Sequence, residues 1–467
     1  MSTAVNSSRP ALAGGGRAAH AGSQAMAPIF QLHVTRRCNL RCMHCYSQSG
    51  PRQRDTLAHE EIIEALTGAR AQGYEIASFS GGEPVLYRNL SLALRHAKSL
   101  GMRTTVTSNG MLLAGARLDA LRDHTDVLAI SLDGMPESHD RMRDCPGAFE
   151  RMATNLDAVR ATGIDFGFIF TLTLHNVHEL EWAASFAHGQ GAKLFQIHPL
   201  EEVGRAADDL PGSRPDALEA AYAYLETERI RQLFQGRMFV QLDLFHREHL
   251  ARDPARFYAE AEETGGANEA AAALADVILA AAALGDGNLA PARLAAGALA
   301  NTALADATLA AAALGDGDLA PARLAAGALA NTAVAVAAPA DAALTHGYLA
   351  KARLAKATLV EPRLADAAPA GATFAHGNLA KAQLADYVTP LVLEADGNLV
   401  PIGYGFGHRY AIGNVRGSSM QDLASHWIAD VYPEFRALCR RVYAEAIRPS
   451  KLPFINWYEM LQAASGI

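Results

Sequence analysis

Three of the five cysteines in this 467-residue chain fall within eight residues, in the run Cys38-Asn-Leu-Arg-Cys42-Met-His-Cys45. The spacing C-x3-C-x2-C places three thiols on one short loop, and three thiolates can ligate three irons of a [4Fe-4S] cluster. With no fourth cysteine beside them, one iron keeps an open position, as does a catalytic metal that reserves a site for its substrate. A zinc knuckle, or a structural cluster whose fourth ligand lies elsewhere, is the alternative on spacing alone. Cys145 and Cys439 stand apart. Each reads as a small buried hydrophobe. Clustering of this kind does not describe a disulfide framework, so the cytoplasm is the expected compartment.

A second group of residues follows about 36 positions later, Ser80-Gly81-Gly82-Glu83-Pro84. Two glycines let a backbone approach a ligand closely, and Glu83 offers a carboxylate. Both groups sit where the pattern places the carboxyl ends of strands. FQLHVT (30–35), EIASFS (75–80), RTTVTSN (103–109), VLAISLDG (127–134), FGFIFTLT (166–173) and KLFQIHP (193–199) read as strands, with MFVQLDL (238–244) as a seventh. Helical stretches lie between them at 59–73, 90–101, 149–163 and 177–191. Regular βα alternation predicts parallel strands with helices outside, and chemistry at the carboxyl ends of the strands.

CNLRCMHCY after the first strand and GGEP after the second, in this order, resemble the two signature elements of the radical S-adenosylmethionine (SAM) superfamily. Thr107-Ser108-Asn109-Gly110 after the third strand and Ser131-Leu132-Asp133-Gly134 after the fourth, with Glu137 and His139, agree with it. The resemblance covers residues 28 to about 205. It implies an α/β fold, a partial (β/α)6 barrel with a [4Fe-4S] cluster at its open top. Cys38, Cys42 and Cys45 would each hold one iron, and the amino and carboxylate groups of SAM would chelate the fourth. Gly81, Gly82, Glu83 and Pro84 would contact the SAM amino group, and Ser131 would lie near the ribose. Thr171, Asn176, His198 and Glu201 are expected either to line the pocket or to serve as ordinary strand-end polar residues. The implied reaction begins with one-electron cleavage of SAM, and the resulting 5′-deoxyadenosyl radical removes a hydrogen atom from a substrate. An external reductant such as flavodoxin or ferredoxin is implied.

The rest of the chain divides into further regions. Residues 1–27 read as a disordered tail without the apolar core of a signal peptide, and residues 28–260 as the barrel. Within 266–386, from Leu274 to Leu384, a large apolar residue, nearly always Leu, recurs at every fifth position with breaks only at Pro339 and Pro369, and 279–303 repeats as 309–333 with only Asn288 replaced by Asp318. Five-residue steps would spiral leucines around an α-helix without a buried stripe. The segment resembles pentapeptide-repeat proteins and is expected to form an inserted β-helix, with irregular Ala-rich structure as the alternative. Residues 387–467 resemble a degenerate SPASM region, a small α+β cap that opens with a hairpin turning at Asp396-Gly397. Ile402 stands where that family carries a cysteine, so no auxiliary cluster is expected.

Composition narrows the partners. Lys plus Arg total 41 against 49 Asp plus Glu, a net charge of −8, which disfavours general nucleic-acid binding. No apolar run of about 18 residues predicts a membrane span. Three functions follow as expectations. The first is radical SAM chemistry on an organic substrate such as a peptide. The second is tetrapyrrole or other cofactor biosynthesis. The third is a non-catalytic scaffold that works through the repeats.

Overall fold

The computed structural model describes residues 27–252, 254, 257–258, 382–448 and 453–466. The leucine repeat therefore lies outside the described residues except at its end, residues 382–386, as does the N-terminal tail apart from Ala27. The core is built from β1 (Ile29–His33), α1 (His59–Ala71), β2 (Ile76–Ser80), α2 (Leu90–Ser99), β3 (Arg103–Ser108), α3 (Ala116–Arg122) and β4 (Val127–Ser131). It continues with α4 (Pro136–Arg143), α5 (Ala148–Thr162), β5 (Asp165–Leu172), α6 (Leu180–Gly189) and β6 (Leu194–Pro199). A single turn α7 (Ala206–Asp209), then α8 (Ala217–Leu233) and β7 (Phe239–Leu242), complete it. All seven strands run parallel in sequential order.

The strands differ on their two faces. Phe30, Leu32, Phe79, Val106, Leu128, Ile130, Phe168, Phe170, Phe195 and Ile197 are fully buried on one side. They meet helix stripes such as Ile62, Leu66 and Ala69 on α1 and Met152, Leu156 and Val159 on α5, spaced three to four residues apart as one helix face requires. Many of the alternate positions carry polar side chains. In register, Gln31 lies beside Ser78 and then Thr105, and Ile169 beside Gln196 and then Gln241. Parallel strands covered on both faces read as continuous apolar runs. Alternation here means that the second face lines an interior rather than a packed core.

After β8 (Phe245–His246) and α9 (Arg247–Arg252), the described chain resumes before β9 (Leu391–Leu393), β10 (Asn398–Pro401) and β11 (Gly413–Asn414). The hairpin expected around Asp396-Gly397 forms, and it joins the barrel's own sheet. β9 pairs parallel with β1, giving ten strands in the order β11-β10-β9-β1 through β7. Leu384, the last member of the five-residue series, is fully buried, and its N–H donates to Gln72 Oε1 at 2.9 Å. The C-terminal helices are α10 (Met420–His426) and α11 (Tyr432–Ala446), joined by a π-helical turn at Trp427–Val431. β12 (Phe454–Ile455) pairs with β8, and α12 (Trp457–Ala464) closes the chain.

Candidate functional site

The loop from β1 to α1 carries the three cysteines, and its backbone is fastened at many points. Thr35 bridges Thr56 and Arg37 bridges Gly50. The N–H of Cys38 donates to Gly50 O at 3.2 Å, and that of Met43 to Met142 O at 3.0 Å. Arg205 clasps the loop from β6's far side, with Nε donating to Cys42 O at 2.8 Å and Nη2 to Ser49 O at 2.7 Å. The neighbouring Gly204 has φ +59°, and a Cβ there would overlap the Tyr46 carbonyl. Nothing in the local sequence marks this clasp, because Arg205 and Cys42 are brought together only by the fold.

The glycines of the second motif serve the same loop. Gly82 donates its N–H to Thr35 O at 2.7 Å, and Glu83 donates its own to Arg37 O at 3.0 Å. A Cβ at Gly81 would run into Thr35 O and one at Gly82 into Arg37 O. Close backbone approach is thus needed, and the nearest partner is the cysteine loop. Glu83 is fully buried, accepting from Ser108 Oγ at 2.9 Å and from the Asn109 N–H at 2.8 Å. Burial pushes its carboxyl up to about 7 against the pull of these donors. Pro84 opens a short 3-10 turn, Pro84–Leu86. Ser131 ends β4, half-buried on the interior face.

Cys38 and Cys42 are each 8% exposed and Cys45 somewhat more, with Leu40, Met111 and Cys145 packed around them. Burial first, then the Glu83 carboxylate, pushes the Cys38 thiol up to about 12. Burial raises Cys42 as well, opposed by the Arg143 guanidinium. Desolvated thiols of this kind ionise only when a cation compensates them, which is what iron supplies. Among the described residues no three His, Cys, Asp or Glu side chains converge on a single ion. A four-iron cluster needs no such convergence, since each thiolate takes a different iron. The donor set therefore fits the cluster. Cys439 is fully buried in α11, its thiol pushed up to about 12 by burial.

Two further groups occupy the interior. His33 at the end of β1 packs against the tilted ring of Tyr404 with centroids 4.6 Å apart and meets Tyr46 at 5.7 Å. Burial holds His33 down at about 3, so the ring is neutral. His198 and Asp243, at the ends of β6 and β7, form a close ion pair. Burial lowers the His198 pKa, but the Asp243 carboxylate and its hydrogen bond overcome this and raise it. Glu201 lies nearby and is raised by burial. Thr171 and Asn176 behave differently. Asn176 is 1% exposed and donates to Asp133 O at 2.9 Å and Thr171 O at 2.8 Å, an internal brace between strand ends. Of the four strand-end residues, the structure thus brings His198 and Glu201 together and gives Asn176 to the framework.

The geometry agrees with the comparisons. Residues 32–187 match the family model described as the radical SAM superfamily. The chain therefore carries a radical SAM domain. It is 32% identical over 155 residues to Fe-coproporphyrin III synthase of Methanosarcina barkeri, covering 33% of this chain and 39% of that one. It is 30% identical over 208 residues to the AdoMet-dependent heme synthase of Oleidesulfovibrio alaskensis, covering 41% and 53%. Sporulation killing factor maturation protein SkfB of Bacillus subtilis is 28% identical over 178 residues, 38% of this chain and 43% of that one. These matches span about half of each relative or less. Among solved structures, native anSMEcpe with bound AdoMet and a Cp18Cys peptide superposes with TM-score 0.50 at 13% identity, over 93% of this chain and 88% of that one, a likeness of fold. Among the described residues no helix is long and apolar enough to cross a membrane.

Proposed function

We propose that this protein is a radical SAM enzyme that acts on an organic substrate of the peptide class held in the barrel interior. The observation that carries the reading is the triad of buried Cys38 and Cys42 with half-buried Cys45, on a loop clasped between the second-strand motif and Arg205. These three thiolates would hold three irons of a [4Fe-4S] cluster, leaving the fourth for SAM. Bound together, the cluster and SAM supply one-electron cleavage of a carbon–sulfur bond and hydrogen-atom abstraction.

The chain's own residues do the rest. Backbone groups of Gly81 to Pro84 are assigned to the amino group of SAM, with Ser131 near its ribose. Glu83, whose oxygens are occupied by Ser108 and Asn109, positions that segment instead of reaching outward. The polar interior face, with Gln196, His198, Gln241 and Asp243, suits a substrate rich in hydrogen-bonding groups. A one-electron donor such as flavodoxin or ferredoxin would reduce the cluster.

A tetrapyrrole substrate is the second reading, favoured by the heme and coproporphyrin synthases among the relatives. Iron and sulfide content after anaerobic reconstitution tests the central claim. About four irons per chain, lost when Cys38, Cys42 and Cys45 are all replaced by Ala, is the expected result. About eight would reveal an auxiliary cluster, and none would shift the function to the repeats. A coloured tetrapyrrole that co-purifies would favour the second reading.

A further inference from the structure

We infer that Arg143 sets the reduction potential of the cluster through Cys42 and that Asp133 is its counter-charge. The inference rests on the cluster reading above. Arg143 is the last residue of α4, 6% exposed, and its Nη1 donates to Cys42 Sγ at 3.7 Å. Its Nε lies 2.7 Å from Oδ2 of Asp133, which is fully buried just after β4. His44 Nε2 is 3.9 Å from the same oxygen, while Oδ1 faces the Thr171 N–H at 3.4 Å. The Asp133 N–H donates to His139 Nδ1 at 3.2 Å, which anchors the acid's backbone.

The arrangement is more than a stabilising ion pair. Burying two charges costs several kcal/mol each, and well-packed apolar residues often do as well or better. Here the guanidinium has one nitrogen on the acid and another on a cluster thiol. Among the described residues, the other two thiols meet neutral donors only. Cys38 faces the Leu40 N–H at 3.4 Å and Asn109 Nδ2 at 3.9 Å, and Cys45 faces Ser47 Oγ at 3.5 Å. Among the described residues, Cys42 alone of the three has a charged donor. Cluster potentials follow net charge and hydrogen bonds to sulfur. A cation beside a ligand thiolate favours the reduced, more negative cluster. Asp133 opposes it, so the two residues pull in opposite directions.

The test is a redox titration of the reconstituted full-length protein, followed by the electron paramagnetic resonance signal of the reduced cluster, with iron counted in each sample. In Arg143→Met the reduced-to-oxidised ratio at a fixed potential should fall about tenfold, a shift of about 59 mV for one electron. Asp133→Asn should move it the other way. Arg143→Gln, which keeps an amide donor without the charge, should fall between Arg143→Met and the native protein. It also serves if Arg143→Met does not fold. Unmoved potentials with about four irons retained would overturn the assignment, as would shifts of the same sign in the two single variants. Loss of iron in both Arg143 variants would make Arg143 a structural support and overturn it too. A native protein without four irons would instead sink the cluster reading on which the inference depends.

Discussion

Glu83 accepts the backbone N–H of Asn109 at 2.8 Å, tying the tip of β2 to the tip of β3, and Asn109 in turn directs its side-chain amide at Cys38 Sγ. A buried acid thus holds two strand ends and, through them, the wall of the cysteine pocket. Replacing Glu83 by Ala leaves the Asn109 N–H and the Ser108 hydroxyl without this acceptor. The expected cost is about 2 kcal/mol or more, since each buried group left unsatisfied costs about 1–3 kcal/mol. Urea unfolding reads the stability, and iron per chain should fall with it. An unchanged midpoint would show that water takes the place of the carboxylate.

The glycines offer a sharper contrast. Gly82→Ala drives a Cβ into the Arg37 carbonyl, an obstacle of main chain that cannot swing aside. The cysteine loop must shift, and reconstituted iron should drop below half of the native content. Gly189, the last residue of α6, has open space where a methyl group would stand and is the control. Gly189→Ala should keep full iron and gain up to about 0.5–1 kcal/mol. Equal iron in the two variants would contradict the packing account.

Acid stability follows from three buried imidazoles. Burial lowers His33 to about 3 and His44 and His139 to about 4. An unfolded chain takes up protons at all three near pH 6.5, whereas the folded chain does not. Their contribution is present above that pH and is lost as pH falls through 6.5 toward 4. Glu83, raised to about 7 by burial, acts in the opposite sense, binding its proton more tightly when folded. His198 and Glu201, both raised, act in the same sense as Glu83, and the large downward shifts of the three imidazoles are expected to set the sign. Denaturation midpoints of the cluster-free protein should fall between pH 6.5 and 4.5, and His33→Gln should flatten the slope. A midpoint that rises on acidification would refute this balance.

Both flanks of the repeat are pinned to the core. Tyr258 Oη donates to Thr389 O at 2.6 Å and accepts the Thr389 N–H at 2.9 Å, while Gln383 Nε2 donates to Ala71 O at 3.0 Å. Tyr74 Oη adds a bond to Val388 O at 2.8 Å. Replacing residues 266–381 by a Gly/Ser linker should therefore leave iron content intact and shift the thermal midpoint by only a few degrees, about the effect of 1 kcal/mol. Loss of the cluster in this variant would show that the repeats support the barrel.

The hairpin at Asp396-Gly397 shows where sequence reading stopped. Its turn and its two strands were legible, because alternating apolar residues around Asp-Gly specify a tight turn locally. Its attachment to β1 was not. Phe30, Gln31 and Leu32 carry no mark that Leu391, Val392 and Leu393 will lie beside them, more than 350 residues later. The spacing also leaves α3, α4 and α8 unmarked, although Pro136 opens α4 and the Asp216 side chain caps α8.

By itself the sequence determined the parallel βα core, the three cysteines on one loop and the glycine pair after β2. Those features rest on short-range periodicity and spacing, which local sterics and hydrogen bonding enforce. The tertiary structure alone decided that Glu83 braces Asn109, that Arg205 clasps the cysteine loop and that Arg143 stands between Asp133 and Cys42. These partners are set by how strand ends converge at one rim of the sheet. Buried charge must find compensation wherever the fold brings it, and no local pattern in the chain encodes that address.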